Sequence, residues 1–293
     1  MANLQEVRNR ITSVSSTRQI TSAMKMVSAA KFRRAQASII GMRPYSAELN
    51  SILSSIEVGD GMETLYHRTS KLQRVLLVVM TSNKGLCGAF NSNVIKSALA
   101  RVEEYKGKGV EVSVITLGKR GTDVFQKQTG LLVESYDALL DHPLFDEVAK
   151  VAEDIMTDFS KGKYDRVELI YNRFKNSLVQ ILTNEQFLPV APSAQDATKQ
   201  GKQGGILNDY IYEPGKEQIL ADIIPLSLRT QFYRTVLDTL ASEHGARMNA
   251  MQKATDNATE MLKDLRLSYN KARQAAITNE IIEIVSGAEA LNG

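Results

Sequence analysis

The stretch of this sequence best suited to chemistry is SNKGLCGAFN (82–91), which directly follows a β-rich run. Dinucleotide-binding folds place a phosphate loop there, with backbone amides aimed at the anion. Only Gly85 and Gly88 are available, and neither G-x-G-x-x-G nor G-x-x-x-x-G-K-[ST] is present. A tight strand-to-helix turn is therefore the plainer reading. His67, His142 and His244 are far apart, and no H-x-x-x-H or C-x-x-C pair exists, which argues against a metal site. Cys87 is the only cysteine, so no intrachain disulfide can form. The sequence sets no His or Lys beside it, and it reads as an inert buried thiol rather than a nucleophile. One charge anomaly remains. Between Glu6 and Glu48 stand Arg8, Arg10, Arg18, Lys25, Lys31, Arg33, Arg34 and Arg43, with no acidic residue among them. Such a face attracts an anionic surface. The wide spacing, with only Phe32 and Tyr45 as nearby aromatics, favours an acidic protein partner over nucleic acid. A merely solvated face stays open.

The elements that must carry these residues are of two kinds. Segment 2–57 reads as one helix. Leu4, Val7, Ile11, Val14, Arg18, Thr21, Met24, Ser28, Phe32, Ala35 and Ile39 recur at a mean step of about 3.5 residues, the coiled-coil period. Pro44 is expected to kink it. The other end repeats the pattern through Leu237, Leu240, His244, Met248, Met251, Ala254, Ala258, Met261, Leu265, Tyr269, Ala272 and Ala276. Pro225 suits the first turn of this second helix, and Ser286-Gly287 suits its end. The two helices are roughly 85 and 90 Å long, too long to hide their stripes in a small core. They can hide them against each other, and a partner is expected around part of the rod.

The middle differs. RVLLVVM (74–80), VEVSVIT (110–116) and DRVELIY (165–171) are strand-like, with helix-like stretches at 91–106, 119–129 and 144–160. Alternation of strand and helix argues a parallel, doubly wound sheet, to which 178–189 adds an edge strand. The fold class expected is α+α/β: a long antiparallel two-helix coiled coil from the N- and C-terminal helices, with a central Rossmann-like α/β domain. The domains expected are the first coiled-coil helix (1–57), the α/β domain (72–192), a polar, Gly-rich linker (193–216) and the second coiled-coil helix (217–287).

Bulk properties are compatible with this plan. Of 293 residues, 43% are hydrophobic and 24% charged; Trp is absent, which leaves Ala, Leu, Ile, Val and Met to pack narrow seams. The net charge of +3 names no partner. No 18-residue apolar stretch exists, so direct membrane insertion is not expected. No signal peptide is visible at the N-terminus.

Several stretches resemble one family. YNKARQAAITNEIIEIVSGAEAL (269–291) looks like the signature of the gamma subunit of the F-type ATP synthase, which runs Ile277-Thr278-x-Glu280, then Glu283, then Gly287-Ala288. RQITSAMKMVSAAK (18–31), KGLCGAFN (84–91) and ASEHGARMNAMQKATDNA (241–258) resemble it too. The resemblance implies a central rotor shaft, non-catalytic itself and binding no cofactor or metal. Such a shaft couples proton-driven rotation of a membrane ring to conformational cycling of catalytic beta subunits. The partners implied are the alpha and beta subunits, the epsilon subunit and the membrane ring of c subunits, with no nucleic acid. The location implied is peripheral, on the cytoplasmic face of a bacterial inner membrane or the matrix side of a mitochondrial one. Met24, Lys25, Arg247, Gln274, Thr278 and Glu280 match family positions that touch the surrounding ring. Arg43, Tyr210 and Glu213 match the region that meets the membrane ring. The cysteine pair of the chloroplast form is absent, so no thiol switching is expected.

Overall fold

RVLLVVM is apolar at successive positions, so both of its faces need cover. It forms β1 (Arg74–Met80), in which every residue after the arginine is buried. The computed structural model describes residues 4–55, 66, 71–128, 130–190 and 215–292. Among these, β1 lies at the centre of a five-stranded sheet. The others are β2 (Glu111–Leu117), β3 (Leu132–Ser135), β4 (Arg166–Phe174) and β5 (Gln180–Leu188), in the order β3-β2-β1-β4-β5. The first four run parallel, and β5 pairs antiparallel with β4 through a tight hairpin. Successive side chains of a strand point to opposite faces. Val75, Leu77 and Val79 therefore meet Val94, Ala98, Val102 and Tyr105 of α2 (Phe90–Gly107) and Phe125 of α3 (Lys119–Phe125). Leu76, Val78 and Met80 meet the buried face of α4 (Phe145–Ser160) and one stripe of α5 (Lys216–Asn292).

The terminal helices are α1 (Leu4–Ser55, 52 residues) and α5 (77 residues). Contacts divide the chain into two compact units. One contains residues 1–29 and 247–293, the other 30–246. In the larger unit α1 and α5 run antiparallel beside the sheet: Phe32 lies over Gly245 of α5, and Ile39 packs with Leu237 and Ala241. Phe32 also makes an edge-on contact with Phe174 at the end of β4, ring centres 5.5 Å apart. Gly245 is a close-approach position, since a Cβ there would lie 3.3 Å from the Ser177 carbonyl oxygen.

Several expectations need correction. Pro225 is not in the first turn of α5 but ten residues into it. An interior proline releases the carbonyl four residues earlier. That carbonyl belongs to the exposed Ala221, where water can satisfy it. Pro44 sits inside α1, as the reading of 2–57 as one helix expected, and releases the carbonyl of the exposed Ile40. Gly287 does not end α5, which continues to Asn292. The helix expected over 119–129 stops at Phe125, and the short strand β3, absent from the expected elements, follows it. The polar segment 193–209 lies outside the described residues.

Candidate functional site: the switch-point turn, the helical seam and the bare C-terminal turns

The sheet grows to one side of β1 through β2 and to the other through β4, and the carboxyl ends of strands at such a switch point are where open α/β sheets bind ligands. The turn 82–91 stands there, but its polar groups serve each other. The Ser82 amide donates to Asn91 Oδ1 (2.9 Å), and the Ser82 hydroxyl donates to the Lys84 carbonyl (2.7 Å). Asn91 Nδ2 reaches Cys87 Sγ at 3.2 Å, so the thiol is buried inside this turn. The amides that open α3 are engaged as well: Lys119 N–H donates to Asn83 Oδ1, Arg120 N–H to the Ser82 carbonyl and Gly121 N–H to Thr81 Oγ1. Gly118, at φ +105°, is required because a Cβ would lie 2.4 Å from the Thr81 carbonyl oxygen. Above Gly85 lies the Arg120 guanidinium. The amides of Ser82, Lys119, Arg120 and Gly121, which a phosphate cradle would have to leave free, are thus bonded within the chain.

A second polar group in the α/β unit gave no sequence signal. Glu168 points from the central strand β4 into the protein, 4% exposed. Arg101 of α2 grips it with two bonds, Nε at 2.9 Å and Nη2 at 3.0 Å, and the Tyr105 hydroxyl donates to it as well. The bond to Glu168 holds the Arg101 guanidinium firmly protonated against its own burial. Burial, and then Glu168, push the Tyr105 phenol up from its ordinary value. A buried carboxylate with bidentate arginine and a phenol donor is satisfied. It fastens α2 to the sheet, and both of its oxygens are engaged by these side chains. Only the tertiary fold brings residues 67 positions apart into this arrangement.

In the smaller unit, α1 and α5 form the coiled-coil seam. Val7, Thr21 and Ser28 are buried, and Leu4, Ile11, Val14, Arg18 and Met24 are half-buried, the positions the 3.5-residue step selects. Thr255 Oγ1 donates to Thr21 Oγ1 (2.8 Å) and fixes the level of the two helices. The opposing positions on α5 are Met251, Ala258 and Leu262, all buried. Here the expectation is corrected at two positions, Met261 and Ala276. Met261 is 51% exposed, and Leu262, at 3%, takes its place in the seam. In an antiparallel pair, each residue gained on one helix is lost on the other, so Leu4 lies level with Ala272. Burial on α5 ends there: residues 273–288 are all exposed, Ala276 included. Yet the helix continues, presenting Ile277, Ile281, Ile282, Ile284 and Val285 to solvent, each about half exposed or more.

The six residues matched to the surrounding ring are divided by this geometry. Gln274, Thr278 and Glu280 stand on the bare turns, where the Thr278 hydroxyl donates to the Gln274 carbonyl at 2.9 Å. Met24 and Lys25 are half-buried. Arg247 is 7% exposed and offers far less surface than the other five. Arg43 lies within α1, whereas Tyr210 and Glu213 lie outside the described residues. Along the basic stretch, Arg10 pairs with Glu6 at 2.8 Å. Arg8, Lys31, Arg33 and Arg34 are exposed, with no ion pair among the described residues. Also among the described residues, no group of three or more His, Cys, Asp or Glu is placed to hold a metal, and no helix is long and apolar enough to cross a membrane.

The model of the family described as ATP synthase matches residues 3–291. The ATP synthase gamma chain of Flavobacterium johnsoniae is 54% identical over the full length of both chains. The chain belongs to the ATP synthase gamma family. The gamma chain of Cytophaga hutchinsonii is 50% identical, again over both full lengths. Among solved structures, a chain from the central stalk and c-ring of the Tetrahymena thermophila mitochondrial ATP synthase is 26% identical. It covers 80% of this chain and 99% of its own, with a TM-score of 0.58. A chain of the Euglena gracilis mitochondrial ATP synthase, at 20% identity, shares the fold with a TM-score of 0.65 over 98% of this chain and 94% of its own. As a gamma chain, the protein is the central-shaft subunit of an ATP synthase. The turn KGLCGAFN, which joins the family resemblance, is in this light a structural joint of the gamma α/β unit.

Proposed function

We propose that this gamma chain works as a non-catalytic bearing and drive shaft. In this reading its bare C-terminal turns are enclosed by a collar of alpha and beta subunits. Its α/β unit meets the epsilon subunit and the membrane ring of c subunits. The observation that carries the reading is the mismatch at Ala272: the seam ends there, but the helix runs on with five large apolar side chains uncovered. Fully burying one such side chain is worth about 1.5–3 kcal/mol. At half exposure or more, each leaves roughly 1 kcal/mol unrealised in the isolated chain. A surrounding apolar sleeve recovers that energy and still permits rotation, because apolar contact has no preferred direction.

Met24, Lys25, Gln274, Thr278 and Glu280 are the polar and semi-exposed groups offered to the ring, and Arg247 supports them from within the seam. Arg43 belongs to the foot, together with Tyr210 and Glu213. Lys31, Arg33 and Arg34, without an ion pair among the described residues, face acidic protein surface rather than nucleic acid. No nucleotide, cofactor or metal is bound by the chain itself, in keeping with turn amides that are already spent on Asn83, Asn91 and Thr81. The location proposed is the cytoplasmic face of a bacterial inner membrane, or the matrix side of a mitochondrial one, held there through partners.

The purified chain should hydrolyse no ATP, and adding it to an ATP synthase depleted of its own gamma chain should restore ATP-driven proton pumping. Hydrolysis by the isolated chain at ordinary enzyme rates, or saturable ATP binding by the α/β segment, would refute the reading.

A further inference from the structure

A drive shaft must not slip where its helix meets the domain that bears the load, and the contacts of α5 within the larger unit address that demand. The stripe Leu220, Ile224, Leu228, Phe232 and Val236 is buried against the sheet and α4. Apolar packing of this kind holds the helix down but resists rotation about its own axis weakly, since it is non-directional. Directional bonds flank the stripe. Arg229 Nη1 donates to Glu153 Oε1 of α4 at 2.7 Å. Gln231 Nε2 donates to Glu185 Oε1 of β5 at 2.7 Å, and Arg234 Nη2 stands 3.8 Å from the same oxygen. Two residues of helix advance roughly 200° around the axis, so Arg229 and Gln231 leave α5 on opposite sides of the stripe. They end on different elements. Glu185 is itself fixed from the sheet by the Tyr171 hydroxyl, which donates to Oε2 at 2.7 Å. Burial, and then Glu185, keep that phenol well above its ordinary pKa, so it remains a donor.

We propose that Glu153 and Glu185 are paired torsion stays. Through Arg229 on one flank and Gln231 with Arg234 on the other, they lock α5 against twist in either direction and transmit torque between the shaft helix and the α/β unit. They are positioning residues, remote from any chemistry. The inference rests on the shaft reading above. Twisting α5 one way stretches the Arg229–Glu153 link; twisting it the other way stretches the links to Glu185. A twist absorbed here is rotation that does not reach the load, so the effect should appear only when the motor works against resistance.

The test uses complete ATP synthase reconstituted into vesicles, with the gamma chain carrying Arg229→Glu, Glu153→Arg, both together, or Gln231→Leu. Proton pumping and ATP hydrolysis are measured against a rising opposing proton gradient. Hydrolysis without a gradient and the amount of assembled complex should match the unaltered enzyme. At the steepest gradient, protons pumped per ATP should fall about twofold in each single variant, the scale of one partly exposed ion pair. The Arg229→Glu, Glu153→Arg pair should recover the loss, which general destabilisation would not allow. Single variants that pump like the unaltered enzyme under load, or a charge swap that fails to rescue, would overturn the stays. If Arg229→Glu prevents assembly, Gln231→Leu decides on the other flank. Failure of the unaltered chain to restore pumping would instead overturn the shaft reading.

Discussion

Leu262 and Met261 are neighbours with similar apolar volume, and replacing each with alanine separates a seam position from a surface one. Leu262 is 3% exposed, so Leu262→Ala removes buried carbons and leaves a gap between two helices. Leucine-to-alanine changes in cores cost about 2–5 kcal/mol. A two-helix seam is partly open and can collapse around the gap, so the lower end, about 2 kcal/mol, applies here. Met261 is 51% exposed, and alanine is the better helix former. Met261→Ala should therefore stay within about 0.5 kcal/mol of the unaltered chain. The assay is amide hydrogen exchange across residues 247–272 of the full chain, which reads opening of the helical pair separately from the α/β unit. Two kcal/mol corresponds to about thirtyfold faster exchange. Equal acceleration in the two variants, or a larger one in Met261→Ala, would show that the seam runs through Met261 and would refute the register fixed by Thr21 and Thr255.

Further outcomes follow from other parts of the chain. Substituting Ile281, Ile284 and Val285 together with serine should leave the thermal unfolding of the free chain unchanged, because all three are more than half exposed. It should weaken coupled pumping in the complex; loss of stability in the free chain would count against a bare tip. Reversing Lys31, Arg33 and Arg34 should shift unfolding by no more than about 0.5 kcal/mol while lowering affinity for the catalytic head in a salt-dependent way. Unfolding of the helices by this change would contradict it. Gly118→Ala should cost the α/β unit more than about 2 kcal/mol, through the left-handed backbone and the contact with the Thr81 carbonyl, as read by denaturant unfolding. A neutral result would refute the close approach. Finally, burial raises the pKa of Tyr105, Tyr136, Tyr171 and Tyr233. The unfolded chain ionises first, so stability should be complete below about pH 10 and fall as pH rises beyond it. Denaturant titrations showing flat or rising stability across that range would refute the assignment.

The seam of α1 was legible because it is a local property. A stripe repeating every 3.5 residues, on a helix too long for a small core, has to meet another helix, and all eleven positions from Leu4 to Ile39 are buried or half-buried. The apolar runs of β1, β2 and β4 announced a sheet covered on both faces for the same reason: each carries its burial pattern within a few residues. Family membership was equally readable, from 18–31, 84–91 and 269–291. Tertiary structure alone decided matters in which the competing answers are locally equivalent. Met261 and Leu262 both satisfy a step of three or four after Ala258, and only the facing helix selects between them. Pro225 looked like a helix start because a proline costs least there; packing of Leu220 and Ile224 against the sheet extended α5 past it. The grip of Arg101 and Tyr105 on Glu168, the spent amides around Asn83 and Asn91, and the stays at Glu153 and Glu185 join residues distant in sequence. Periodicity constrains which face a residue occupies, but it carries no information about what stands opposite, and hydrogen bonds are made with what stands opposite.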